Sequence, residues 1–164
     1  ILISMFLPRD LEKTMQIDGI FTRLLPFDPY HLSLMEYRPL DQAVLSANLD
    51  FMVTDGLSFS CFHRNHCILA FGIQPIWKGN AEIWMLVNKF IGKDKFIFHR
   101  SAKRLFPFIA ECLQLVRLQC HVCSENVQAT KWIEKMLFNQ EGLLKHYGPE
   151  GRDYYVYARY FKGK

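Results

Sequence analysis

Cys120-His121-Val122-Cys123 sets three metal-capable side chains within four positions, with His63, His66 and Cys67 as further candidates elsewhere in the chain. Structural zinc takes Cys-x-x-Cys from a turn, so that both sulfurs converge. Arg117 to Cys123 reads instead as a strand, in which residues three apart face opposite ways. The two thiols then diverge, and no metal is expected. The same geometry argues against a redox pair, which sits at a helix N-terminus. A Cys/His nucleophile stays open, although no glycine-flanked cysteine supports it. Two other groupings could contact ligands. Lys89, Lys93 and Lys95, followed by Arg100, Lys103 and Arg104, form either a phosphate site made by side chains or a solvated basic helix face, and the solvated face is favoured. The aromatic run Tyr154, Tyr155, Tyr157, Tyr160 and Phe161 could stack bases. Strand alternation would rather divide it between the core and an outer face suited to protein contact.

The elements that must hold these residues are read from periodicity. Met15 to Arg23 reads as a first strand closed by Pro26 and Pro29, with Asp28 able to cap a helix after it. Tyr30 to Leu49 fits two short helices, because Pro39 interrupts it. Leu57–Phe62, Cys67–Ile73 and Ala81–Val87 alternate in strand fashion around turns at Arg64-Asn65-His66 and Lys78-Gly79-Asn80, with Pro75 ending the middle strand. Phe98, Ala102, Leu105, Phe106, Ile109, Cys112 and Leu113 share one helical face, and Pro107 should kink or split that helix. After the strand at Arg117–Cys123 comes a helix capped by Asn126 or Ser124, with Ala129, Trp132, Ile133, Met136 and Leu137 as its buried stripe. The order is β, αα, βββ, α, β, α, ββ.

The chain has 164 residues, the size of one domain, and half of them are hydrophobic with 15% aromatic, which excludes a disordered or fibrous protein. A net charge of +4 is too small for a dedicated nucleic-acid binder. No apolar run approaches the roughly 20 residues of a membrane span. Five cysteines without secreted-domain spacing fit free thiols in a reducing compartment, so we expect a soluble protein of the cytoplasm. The first methionines are Met5 and Met15, and Leu11-Glu12-Lys13-Thr14 can be encoded by a purine-rich message like a bacterial ribosome-binding site. Residues 1–14 are therefore expected to be a leader translated upstream of a start at Met15, the alternative being a disordered N-terminal arm with Pro8 as a breaker, and 15–164 to be a single domain.

The last forty residues carry the strongest pattern. Ser124-Glu125-Asn126-Val127-Gln128-Ala129-Thr130-Lys131-Trp132-Ile133-Glu134-Lys135-Met136-Leu137-Phe138 is a capped helix, and Glu141–Gly148 and Asp153–Phe161 form a hairpin around Pro149-Glu150-Gly151. With the element order, this resembles the GNAT N-acyltransferase fold from Met15 to the end. The resemblance implies an α+β, or α/β, architecture: a central mixed, mostly antiparallel sheet with helices on both faces.

It also implies a site. In that family the loop after the fourth strand binds the pyrophosphate of acyl-CoA on helix N-terminal amides through a Gln/Arg-x-x-Gly-x-Gly/Ala motif. Here the loop runs from Val87 through Gly92, Lys93 and Lys95 and keeps only one glycine of the pair. The pantetheine arm would pair between strands parted at Met85 and Cys120, near Asn126 of the Asn-x-x-Ala helix. Glu82 matches the glutamate that often serves as general base. The tyrosine that often protonates the leaving thiolate falls at Ile133, which has no proton to give; Tyr147, Tyr154 and Tyr155 are substitutes, with Tyr147 the nominated acid. Leu137 replaces the usual glycine before Phe138.

These departures, with Trp77, Trp84 and the basic helix, resemble a branch of GNAT-like proteins in tailed bacteriophages that includes internal virion components. The implied function is a divergent N-acetyltransferase-like protein with weakened or lost acyl transfer, serving binding or assembly with a phage virion or host protein, in the host cytoplasm and the virion. The alternative is an active N-acyltransferase that uses acetyl-CoA or another acyl-CoA through a non-standard phosphate loop.

Overall fold

The computed structural model describes residues 22–47, 52, 57–92 and 95–162. The expected leader at 1–14 and most of the expected strand at Met15–Arg23 lie outside them. Seven strands form one sheet in the order β1-β2-β3-β4-β5-β7-β6. They are β1 (Thr22–Pro26), β2 (Ser58–His63), β3 (His66–Trp77), β4 (Asn80–Val87), β5 (Arg117–Cys123), β6 (Asn139–Leu144) and β7 (Tyr154–Tyr160). Every neighbouring pair is antiparallel except β4 and β5. The helices are α1 (Pro39–Ala47), α2 (Lys95–Cys112) and α3 (Val127–Lys135). A 3-10 turn at Pro29–Leu34 takes the place of the first expected helix, and Asp28 caps it by accepting the Tyr30 N–H at 2.8 Å.

Strand alternation divides the apolar residues between two layers. Ala81 and Ile83 of β4 and Leu118 and Cys120 of β5 join Ala102, Leu105, Phe106 and Ile109 of α2 and Ile133 of α3 in the larger core. Leu86 packs on the opposite layer with Leu32, Met35 and Met52, and Trp84, Val44 and Leu45 border it. Helices thus cover both faces, as expected. The aromatic run divides as alternation requires: Tyr157 is fully buried with Tyr155 and Phe161 beside the larger core, while Tyr160 is exposed.

Two local expectations need correction, and one of the two alternatives at Pro107 falls. Pro75 does not end β3, which runs on to Trp77. The Ile73 N–H donates to Leu57 O, on the β2 side, so the residue two further on faces the same way, and β2 pairs no further than Ser58↔Gly72. Among the described residues no strand lies on that side of Pro75 to meet the N–H that proline lacks, which is the kind of position where a strand tolerates proline. Pro107 does not split α2, which continues through it as one 18-residue element. Leu137 is not in the buried stripe of α3; it is 67% exposed and takes φ +66°. Its N–H donates to Glu134 O, and that of Phe138 donates to Ile133 O, the double bond of a Schellman helix end. The left-handed position of that motif falls on Leu137, so its side chain turns outward while Met136 and Phe138 are buried.

The turns fall where expected. Arg64 and Asn65 both adopt positive φ between paired His63 and His66, as a two-residue hairpin requires. No described helix is long and apolar enough to cross a membrane.

Candidate active site

The site begins where β4 and β5 part. Parallel pairing joins Asn80 to Arg117, Ala81 to Leu118 and Glu82 to Gln119, and then stops. β4 stays bonded to β3 as far as Val87↔Leu69, and β5 stays bonded to β7 as far as Cys123↔Tyr154. Each strand is therefore held on its outer edge while its inner edge faces the gap. The gap opens into a cleft of about 580 Å³. Its walls include Met85, Val87, Cys120, His121, Asn126, Trp132 and Tyr147, and Glu82 lines its base.

Alternation puts Glu82 of β4 on the same face as Gln119 and His121 of β5. Gln119 Nε2 donates to Glu82 Oε2 at 3.1 Å, and His121 Nδ1 lies 2.9 Å from Glu82 Oε1. Burial alone would raise the Glu82 carboxyl, but the hydrogen bonds from His121 and Gln119, with the His121 charge, hold it below its ordinary value. Glu82 is therefore ionised at neutral pH. Gln119 is held in turn by Arg117, whose Nε donates to Gln119 Oε1 at 3.0 Å.

Tyr147 comes from the β6–β7 connection and stacks on His121, with ring centroids 4.9 Å apart and 29° between planes. The loop around it is pinned: His146 N–H donates to Asp153 Oδ1 at 2.9 Å, and Gly148 N–H to Arg152 O at 3.0 Å. Tyr154 meets Tyr147 edge to face at 5.7 Å. Gly148 makes room for this, since a Cβ there would stand 2.1 Å from Tyr154 Cε2. Burial, then the nearby Glu82 charge, raises the Tyr147 phenol, which keeps its proton at neutral pH.

The far wall carries Arg38 and Asp41. Arg38 Nη1 donates to Gln128 Oε1 at 2.9 Å, tying the start of α1 to α3, and Arg38 Nε is 3.4 Å from Asp41 Oδ2. Burial raises the Asp41 carboxyl, with Arg38 opposing it. Trp132 also lines the cleft, and its indole N–H is buried without a hydrogen-bond acceptor among the described residues.

Of the residues singled out from sequence, Glu82, Met85, Val87, Cys120, Asn126 and Tyr147 line this cleft. Gly92 and Lys95 do not line it, and Lys93 lies outside the described residues. Asn126 caps α3, its Oδ1 accepting the Ala129 N–H at 3.2 Å. Lys89 is paired with Glu36 at 2.8 Å. Cys120 is buried, and burial with the Glu82 charge pushes its thiol up to about 12, which leaves no thiolate for nucleophilic work. It packs in the larger core while Cys123, three residues on, belongs to the other face. No disulfide joins any of the five cysteines, and no three metal-capable side chains gather among the described residues. Ile133 is buried, with no phenol in its place.

Sequence reasoning missed His121 and Gln119 as partners of Glu82. The signal was present as alternation: residues 119 and 121 share a face of β5. That Glu82, almost forty positions earlier, is their neighbour depends on the parallel pairing of β4 with β5.

No protein-family model matches the chain, and no curated protein sequence matches it. Solved structures do. An acetyltransferase of the GNAT family from Bacillus anthracis superposes with TM-score 0.63 at 16% identity, over 85% of this chain and 94% of that one. Ard1 from Thermoplasma volcanium gives TM-score 0.65 at 13% identity, over 86% and 98%. The microcin C7 self-immunity acetyltransferase MccE, solved with acetyl-CoA and AMP, gives 0.54 at 14% identity, over 63% and 60%. At such identities the likeness is one of architecture, and the chain has the fold of the GNAT acetyltransferases.

Proposed function

We propose that the protein is an acyl-CoA-dependent N-acyltransferase in which the parted strands β4 and β5 take the acyl-carrying arm and the Glu82–His121 pair receives the proton of an amine. The observation that carries this is the coincidence of two features: the sheet opens immediately beyond Glu82 and Gln119, and the carboxylate–imidazole pair spans that opening. The inner edge of β4 from Ile83 to Val87 has no partner in β5. An amide-bearing arm is suited to such an edge, because it can satisfy backbone groups as a strand would.

When bound, acyl-CoA supplies a thioester carbonyl; transfer forms the amide C–N bond and breaks the C–S bond, whose electron pair and one proton leave with the sulfur. The residues of this chain have separate parts in that reaction. Glu82 and His121 accept the amine proton at the open end of the parallel pair. Tyr147, protonated and packed on His121, is the acid candidate in place of the absent phenol at Ile133.

The test is thiol release from acetyl-CoA with a panel of primary amines, spermidine and a lysine peptide among them. Turnover above background, reduced by about 10²–10⁴ in kcat in His121→Gln or Glu82→Gln, is the expected result. Absence of turnover with every amine, despite acetyl-CoA binding, would favour a second reading. That reading is a fold of the tailed-phage kind, kept for binding or assembly in the virion or with a host protein. It is supported by Ile133 at the acid position, by the single glycine of the loop, and by Lys89 being occupied with Glu36.

A further inference from the structure

We infer that the lone pair offered to the cleft is Nε2 of His121, and that Arg117, Gln119 and Glu82 form the chain of donors and acceptors that fixes it there. The inference deepens the acyltransferase reading, since it names which member of the pair takes the amine proton.

Two groups set the direction of the bonds, the guanidinium at one end and the ionised Glu82 carboxylate beside His121. A guanidinium donates and cannot accept. Arg117 is anchored by donating Nη1 and Nη2 to Glu141 Oε1 at 3.1 Å and Oε2 at 2.6 Å, with Nη1 also donating to the Tyr160 hydroxyl at 3.1 Å. Its remaining Nε–H points to Gln119, which must therefore turn its carbonyl oxygen toward Arg117. The Gln119 amide nitrogen is then obliged to face Glu82, and it donates to Oε2. An ionised carboxylate only accepts. The His121 Nδ1 that meets Oε1 at 2.9 Å must consequently carry a proton. A neutral imidazole has one N–H, so Nε2 is bare.

The rest of the site agrees. No described residue hydrogen-bonds Nε2, and His121 lines the cleft. The Tyr147 ring lies against one face of the imidazole and opposes a flip that would exchange the two edges. Glu82, by contrast, already has one bond on each oxygen. His121 is thus placed as the proton acceptor, and Glu82 as the carboxylate that orients it and faces the imidazolium once formed. Gln119 and Arg117 are positioning residues one and two steps behind. The other titratable and charged groups around the cleft are Tyr154, Cys120, Cys123, Asp41 and Arg38.

Nitrogen-15 NMR of the histidine-labelled full chain, without ligand and at a pH where His121 is neutral, reads the tautomer directly. His121 should show the protonated-type signal at Nδ1 and the bare-type signal at Nε2, and Glu82→Gln or Gln119→Leu should mix the two tautomers. An Nε2–H tautomer in the unmodified chain would overturn the inference, as would a bias unchanged in Glu82→Gln. Titration of the same sample with acetyl-CoA keeps the two questions apart. Absence of binding would count against the acyltransferase reading and leave the tautomer result standing.

Discussion

Glu82 and Gln119 are the last residues paired between β4 and β5, and their side chains bond to each other at 3.1 Å where the two backbones begin to separate. The opening of the sheet and the placement of its carboxylate are therefore one feature. A side chain at that point has a strand on each side and a cleft ahead of it.

Glu82 is held below its ordinary value in the folded chain, so its contribution to stability is complete above the unfolded carboxylate range and is lost as pH falls through the folded value. Urea midpoints of the unmodified chain and of Glu82→Gln, compared from pH 7 to pH 3, should differ most at neutral pH and converge on acidification. A gap that stays constant across this range would show that the carboxyl is not favoured in its ionised form.

Leu137 occupies the left-handed position of the α3 end with its side chain turned to solvent. A non-glycine residue there costs about 1–2 kcal/mol, partly offset by the extra backbone freedom that glycine loses on folding. Leu137→Gly should raise stability by about 0.5–1 kcal/mol in urea unfolding. A loss of stability would mean that the exposed leucine is covered by something.

Pro107 lies inside α2 on its exposed side. Alanine there restores an intrahelical N–H and removes the clash of the ring with the preceding turn, while making the unfolded chain more flexible. Pro107→Ala should therefore raise the Tm, with about 1–2 kcal/mol left of the roughly 3 kcal/mol that proline costs in a helix interior. An unchanged or lower Tm would show that the helix accommodates the ring without strain.

Gly148 has an ordinary negative φ, so its role is space rather than backbone freedom. Gly148→Ala must displace the Tyr154 ring and, through it, Tyr147. We expect a loss of about 1–3 kcal/mol, together with a changed near-UV signal from the tyrosines. Unchanged stability and spectrum would mean that the loop shifts freely and does not hold Tyr147 on His121.

The features legible in the chain were local. The Asn126 cap, the Arg64-Asn65 turn and the apolar face of α2 each depend on residues a few positions apart. Pro75 misled because its tolerance depends on where β2 stops, a fact about a neighbouring strand. Leu137 misled because helical spacing continues past the last helical residue, and only the backbone reveals the reversal. The site was legible in part: Glu82 and Tyr147 were picked out by resemblance, and both line the cleft. His121 was weighed as a metal ligand beside two cysteines and set aside, or as the partner of a cysteine nucleophile, and never against a carboxylate. Its partner lies on another strand, and nothing in the run Cys120-His121-Val122-Cys123 points to Glu82.

The proposed acyl transfer requires the cleft between β4 and β5 to receive an acyl-CoA. Calorimetric titration of the full chain with acetyl-CoA, with ATP as the control, tests it most directly. Saturable heat is expected with acetyl-CoA, little with ATP, and loss of the acetyl-CoA heat in Ala129→Trp, which fills the cleft from α3. Absence of binding at millimolar acetyl-CoA, or binding that Ala129→Trp leaves unchanged, would contradict that proposal.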